Sequence, residues 1–226
     1  MQPFRLTAPL DELAAELRAA HGVEIRPLPL DLNDEIAADR IAQAAADLEV
    51  GLYIANAGAS HGGGGYFLDQ PYAAIRDLII RNVLHVAAAC HHFGAKMYVR
   101  GRGGIVIMSS GTALGGTAAY SGVKAFQINL AEALWSELRD ARVHVIGIAA
   151  PIMETSTLRR QLGAKTISGM FPAEDVAREA LTRLPQGCGL IYAMGEPWTE
   201  TERQTAARRD RVLQMESLTA ALFKPG

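Results

Sequence analysis

The sequence has little of what would tie it to an extracellular, membrane or nucleic-acid setting. Only two of its 226 residues are cysteine, Cys90 and Cys188. Two thiols cannot frame a chain of this length with disulfides, and they read as reduced thiols of a cytosolic protein. Positive charge is not in excess: 22 Lys and Arg stand against 24 Asp and Glu, a net charge of -2. Nucleic acid and acidic membranes both call for a basic face, so neither is expected as a partner. Long apolar runs are missing as well. The most apolar stretch, Ala73 to Phe93, is broken by Arg76, Asp77, Arg81, Asn82 and paired histidines, and is too polar to span a bilayer. The opening MQPFRLTAPL has neither the apolar core nor the cleavage site of a secretory signal. These absences predict a cytoplasmic location. With 49% hydrophobic residues and no long single-sign charge run, disorder is excluded too.

No repeat and no low-complexity linker divides the chain, so residues 1–226 read as one domain. What the sequence does have is strand-type and helix-type segments in alternation. Leu10, Leu13, Ala14 and Leu17 recur on one helical face, and Glu35 to Leu48 is Ala-rich and helical. Glu24 to Leu32 reads as a strand at a sheet edge, because Pro27 and Pro29 cannot donate ladder hydrogen bonds. Gly51 to Ala55, Gly104 to Met108 and Val143 to Ala149 are apolar without strict alternation, which suits interior strands of a parallel sheet. Helices are expected near 71–95, 117–139, 173–184 and 199–222, with a last strand at Leu190 to Ala193. The pattern predicts an α/β fold: a Rossmann-like, doubly wound parallel sheet with helices on both faces. Ligands of such sheets bind beyond the carboxyl ends of the strands.

The strand ends carry the chemistry. Asp31 lies at the end of the Pro27/Pro29 strand, Asn56-Ala57-Gly58 follows GLYIA, Ser109-Ser110 follows GIVIM, and Pro151-Ile152 follows the third apolar run. Ten residues past Ser110 stand Tyr120 and Lys124, one helical turn apart on a shared face. A phenol with a pKa near 10 is a poor acid or base at neutral pH, and a nearby ammonium lowers that value toward proton exchange with a substrate oxygen. A serine hydroxyl from the preceding strand end can hold the same oxygen. Such a site interconverts an alcohol and a ketone once something accepts the hydride. Cys90, His91, His92 and His85 crowd one helix, but adjacent histidines point to different faces, so no metal site is expected. The basic run Arg203, Arg208, Arg209 and Arg211 alternates with acidic residues and reads as a solvated face.

The ordered set Asn-Ala-Gly, helix Asn, Ser-Ser strand end and Tyr-x-x-x-Lys resembles the short-chain dehydrogenases/reductases, from about Leu10 to the last strand. The resemblance implies an NAD(P)-dependent oxidoreductase interconverting a secondary alcohol and a ketone. It implies that Tyr120 is the acid/base, that Ser110 orients the carbonyl (with Ser109 as the alternative), and that Lys124 binds the nicotinamide ribose and tunes the tyrosine. Asn82 would hold a proton-relay water. Asp31 would contact the adenine, and Asn56, Ala57 and Gly58 would buttress the sheet beside the cofactor. Pro151, Ile152 and Thr155 would form the turn beside the nicotinamide. Pairing through the helices near 71–95 and 117–139, with Ala87 to Ala89, Phe126, Leu130 and Leu134, would give a homo-oligomer.

Three departures from the family pattern stand out. The Ser110–Tyr120 loop is short, and Ile152 stands where the family usually has glycine. The third is larger: the family's opening strand, its Thr-Gly-x-x-x-Gly-x-Gly turn and the helix whose N-terminus cradles the pyrophosphate find no match in this sequence. In the family order 3-2-1-4-5-6-7 the unmatched strands lie between the Pro27/Pro29 strand and GLYIA. That strand must then shift inward, a partner must lend a strand, or stability falls. His61 to Gly65 reads as a substrate-side loop or linker, and Arg5 is a faint pointer to NADP, with NAD against NADP left open. The rival expectation is a non-catalytic remnant that folds or oligomerises without binding dinucleotide.

Overall fold

The computed structural model describes residues 7–58, 66–114, 116–155, 158–159, 169–192 and 198–223; Arg5, His61–Gly65 and Ala193 lie outside the described residues. In chain order the elements are α1 (Thr7–His21), α2 (Ala37–Ala44), β1 (Leu52–Ala55), α3 (Tyr72–Ile79), a π-helical turn (Ile80–Leu84), α4 (His85–Arg100) and β2 (Gly103–Met108). There follow α5 (Ala118–Leu138), β3 (Val143–Ala149), β4 (Met153–Glu154), β5 (Phe171–Pro172), α6 (Ala173–Arg183), β6 (Cys188–Ile191) and α7 (Trp198–Phe223). Strands β1, β2, β3 and β6 form one parallel sheet in that order, in a register that aligns Ile54, Val106, Ile146 and Cys188.

Both faces of the sheet are covered, which is why the strands are apolar without alternation. Ile105, Ile107, Val143 and Val145 pack with Val86, Phe93 and Met97 of α4 and with Ala131 and Trp135 of α5. Val106, Ile146, Ile148 and Leu190 pack with Val176 and Ala180 of α6. Helix α7 closes over β6 and α5, and is tied to α5 by Arg208, which pairs with the buried Glu132 at 2.5 Å.

Gly187 shows how tightly α5 meets the β6 edge. It has φ +59° and ψ −163°, a region open only to glycine. A Cβ there would lie 1.9 Å from Trp135 Nε1. The indole cannot swing aside, because the Arg139 and Arg209 guanidinium groups lie over its ring, each 5.2 Å from the centre. Gly187→Ala is therefore expected to lower stability by at least about 3 kcal/mol. An unfolding midpoint in urea equal to that of the parent chain would contradict this packing.

Three expectations need correction. Residues 22–31 form neither helix nor strand, so the strand expected over Glu24 to Leu32 is not made. A strand needs a ladder partner, and here Pro27 and Pro29 also withhold two N–H donors. Side chains hold the segment instead: Arg26 pairs with Glu24 at 2.6 Å and Asp47 at 2.8 Å, and the Arg18 guanidinium donates to the Ile25 carbonyl. The Pro27/Pro29 segment has thus not moved in to pair with the sheet. Consequently β1, read as an interior strand, is an edge, and its Leu52 and Ile54 are exposed at 40% and 47%. The helix expected near 71–95 is continuous over 72–100 but carries a π turn at residues 80–84, and it runs on to Arg100, where Gly101 caps it.

Candidate active site

Because the sheet is parallel, β1 and β2 deliver their following residues to one edge, where α5 begins. Helix α5 turns Val123, Lys124, Gln127, Ile128 and Ala131 inward. Four of these sit among apolar neighbours without effort or are partnered there; Lys124, 4% exposed, is the costly one. Its ammonium donates to Gln127 Oε1 at 2.9 Å and to the Met108 carbonyl at 3.3 Å. Burial pulls its pKa down to about 8. The Tyr120 ring centre lies 5.7 Å from Lys124 Nζ.

Of the two serines the sequence leaves open, each has a distinct place. The Ser109 hydroxyl is buried and donates to the Lys124 backbone carbonyl at 2.7 Å, which pins α5 to the end of β2. Ser110 Oγ accepts from Thr112 N at 3.3 Å, lies 3.0 Å from Thr112 Oγ1, and stands near enough to the Tyr120 hydroxyl to favour its ionised form. Ser110 is thus the serine beside the tyrosine. Tyr120 does not have the lowered pKa expected from an adjacent ammonium. Desolvation raises it, and the nearby Ser110 hydroxyl only partly opposes this. The lysine sits against the ring side of the phenol, with its ammonium turned toward Gln127 and Met108.

Asn82 is fully buried in the π turn, where its Nδ2 donates to the Leu78 carbonyl at 3.0 Å. Its Oδ1 is a buried acceptor with no hydrogen-bond partner. Gly58 presses its backbone against this amide: a Cβ on Gly58 would lie 2.6 Å from Asn82 Oδ1 and 3.6 Å from Lys124 Nζ. No side chain fits there, which explains the glycine of Asn56-Ala57-Gly58, three exposed residues that follow β1. The structure therefore gathers Gly58, Asn82, Ser110, Tyr120 and Lys124 at one edge. Asp31 stands apart, in the turn before α2, where its carboxylate accepts from Asn33 N at 2.9 Å and acts on the charge of Arg81. Pro151 is buried at the end of β3, Ile152 is exposed, and Thr155 Oγ1 accepts from Leu158 N at 3.1 Å. Met153 and Phe171 of the small β4–β5 ladder hold that turn.

Gln127 escaped the reading of the sequence. It is 2% exposed, and besides accepting from Lys124 it donates through Nε2 to the Asn82 carbonyl at 3.0 Å. Its signal was a lone amide on the inward face of α5, three residues past Lys124. Of the crowded helix residues, His85 and Cys90 are buried while His91 is exposed, and among the described residues no group of three or more His, Cys, Asp or Glu is placed to hold a metal ion. Among the same residues no helix is long and apolar enough to cross a membrane.

Comparison with known proteins bears on this arrangement. The sequence profile of the short chain dehydrogenase family matches residues 4–165. The very-long-chain 3-oxoacyl-CoA reductase of Laccaria bicolor is 28% identical over 229 residues, covering 97% of this chain and 65% of that protein. The 7β-hydroxysteroid dehydrogenase of Clostridium sardiniense is 27% identical over 215 residues, 91% of this chain and 80% of that one. The human very-long-chain 3-oxoacyl-CoA reductase is 30% identical over 141 residues, of which the match spans 45% of its length. Among solved structures, a 7β-hydroxysteroid dehydrogenase superposes with TM-score 0.77 at 23% identity, covering 94% of this chain and 84% of its own. A short-chain dehydrogenase from Sphingobium yanoikuyae in complex with NADPH also gives 0.77 at 23% identity, covering 91% and 82%. With the fold, the strand-end residues and a profile match over most of its length in agreement, the chain belongs to the short-chain dehydrogenase family.

Proposed function

We propose that the chain is an NAD(P)-dependent oxidoreductase that interconverts a ketone and a secondary alcohol, and that it runs most readily as a ketone reductase. The observation that carries this reading is the convergence of Ser110, Tyr120 and Lys124 with Asn82 at one sheet edge. In this reading Ser110 donates a hydrogen bond to the ketone oxygen and Tyr120 Oη gives it a proton. Burial keeps that proton on the phenol at neutral pH, the state a reductase needs. Lys124 supplies the positive charge that steadies the phenolate left behind.

The residues present fit the reacting end of a nicotinamide nucleotide. Gly58 leaves a backbone cradle that a Cβ would fill, and Lys124 brings a buried ammonium to it. Tyr120 and Lys124 would hold the ribose, with Asn56, Ala57 and Gly58 on one side and Pro151, Ile152 and Thr155 on the other. When bound, the cofactor supplies the hydride. The adenine end would meet Asp31. For the pyrophosphate, the described residues offer no glycine turn or helix N-terminus beside β1, whose outer edge is open. The rival reading, a remnant without dinucleotide binding, draws on that open edge.

The relatives named above act on a hydroxysteroid and on 3-oxoacyl-CoA, which supports a ketone on a large apolar body as substrate. Helices α4 and α5 are proposed to pair two copies, and Ala88, Ala95, Tyr98 and Val99 of α4, with Leu84 of the π turn, are exposed apolar residues on that side. A single monomeric mass in light scattering at micromolar concentration would count against that pairing. The activity itself is tested by NADPH consumption with a steroid ketone and a 3-oxoacyl thioester across a pH series. The ammonium form of Lys124 is the active one, so the rate should hold near neutrality and fall as pH rises past about 8. A rate that climbs steadily through that range would rule out this role for Lys124.

A further inference from the structure

Two hydrogen bonds place Gln127 between two members of the site. An ammonium has only donors and a carbonyl only accepts, so a single orientation of the Gln127 amide satisfies both neighbours: Oε1 toward Lys124 and Nε2 toward Asn82. The accepting Asn82 carbonyl lies within the π turn at residues 80–84. We propose that Gln127 is a positioning residue of the reaction: it bridges Lys124 and the Asn82 carbonyl and fixes the ammonium at the ring side of Tyr120.

The inference rests on the proposed reductase reading and adds one consequence to it. Among the described residues, Gln127 and the Met108 carbonyl take two of the three N–H groups of Lys124, leaving one for the site. A carboxamide neither gains nor loses a proton near neutrality. Gln127 therefore seats the ammonium without exchanging a proton itself. The groups that face Lys124 are Tyr120 on its own helix, Asn82 in the π turn, Gly58 after β1 and the Met108 carbonyl of β2. Of these only Tyr120 titrates. No carboxylate among the described residues sets the charge of the lysine, so loss of the Gln127 acceptor should be felt directly.

The test follows the lysine rather than turnover alone. Nitrogen-15 NMR of labelled lysine, with Lys124 assigned by Lys124→Arg, gives its titration in the chain without cofactor. In Gln127→Leu, of similar volume but with no acceptor, the Lys124 midpoint should fall by about one pH unit. In Gln127→Glu, which faces the ammonium with a carboxylate, it should rise above that of the parent. Ketone reduction should follow, with kcat down about tenfold in Gln127→Leu and KM for the ketone within about twofold. A folded Gln127→Leu or Gln127→Glu chain with the parent's Lys124 titration would overturn the proposal and leave Gln127 as core packing. Should Gln127→Leu not fold, Gln127→Glu alone decides the matter. If the parent reduces no ketone, the function reading fails while the titration still decides whether Gln127 seats the lysine.

Discussion

Tyr120→Phe should lower kcat for ketone reduction by at least about 10²-fold while leaving the fold unchanged. The substitution removes one oxygen and nothing else. The Tyr120 ring, partly buried beside Lys124, stays in place, so packing changes little. What disappears is the phenol proton beside the Ser110 hydroxyl, the most acidic hydroxyl proton there. Ser110 can still orient the oxygen, but a serine hydroxyl is too weak an acid to replace the phenol. The loss should therefore appear in kcat, with the KM for the ketone little changed. Turnover near that of the parent, in a variant whose circular dichroism matches it, would remove Tyr120 from the mechanism.

The second large effect concerns cofactor affinity. The 226-residue chain should bind NADH and NADPH no more tightly than millimolar, about −4 kcal/mol at the standard state. In the proposed reading, Gly58, Tyr120 and Lys124 serve the nicotinamide end and Asp31 the adenine side. The pyrophosphate between them carries the charge, and charge of that kind is held by backbone N–H groups at a glycine turn and by a helix dipole. The sheet order begins at β1, and no βα turn of the described residues lies alongside it. Lys124 cannot serve instead, since two of its donors are engaged at the reacting end. Calorimetric titration measures this directly. Micromolar affinity for either nucleotide would refute it and point to a phosphate site elsewhere, with His61–Gly65 the first segment to substitute.

Much of the fold was legible because it is written in local pattern. The three apolar runs after residue 50 became β1, β2 and β3 within a residue of their expected bounds, and the helices expected near 117–139, 173–184 and 199–222 are formed over 118–138, 173–183 and 198–223. Pattern failed where a partner decides the outcome. Glu24 to Leu32 has the composition of a strand, but among the described residues it pairs with no strand. The π turn at Asn82 is invisible to helical periodicity, because it is a shift of backbone register stabilised by contact with α5. The short β4–β5 ladder joins residues too far apart in sequence to predict one another.

The site divides in the same way. Tyr120, Lys124, Asn82 and the serine pair stood out as an ordered motif, but the division of labour between Ser109 and Ser110 needed coordinates. Both are serines at one strand end; only the alternation of the chain sends Ser109 inward to the Lys124 carbonyl and Ser110 toward Tyr120. The direction of the Tyr120 shift also reversed. Four residues of helical spacing brought the lysine near the ring, yet Gln127 and Met108 drew its ammonium aside, and burial then dominated.

Direct transfer of hydrogen is the sharpest test of the site as a carbonyl reductase. The chain is incubated at millimolar concentration of NADPH deuterated on the reactive face of its nicotinamide ring, with a steroid ketone or a 3-oxoacyl thioester, and the product alcohol is examined by mass spectrometry. Deuterium on the carbinol carbon, on one face only, and its loss in Tyr120→Phe, are the predicted result. An alcohol product without deuterium, or no alcohol from either substrate with both NADPH and NADH at that concentration, would contradict the assignment.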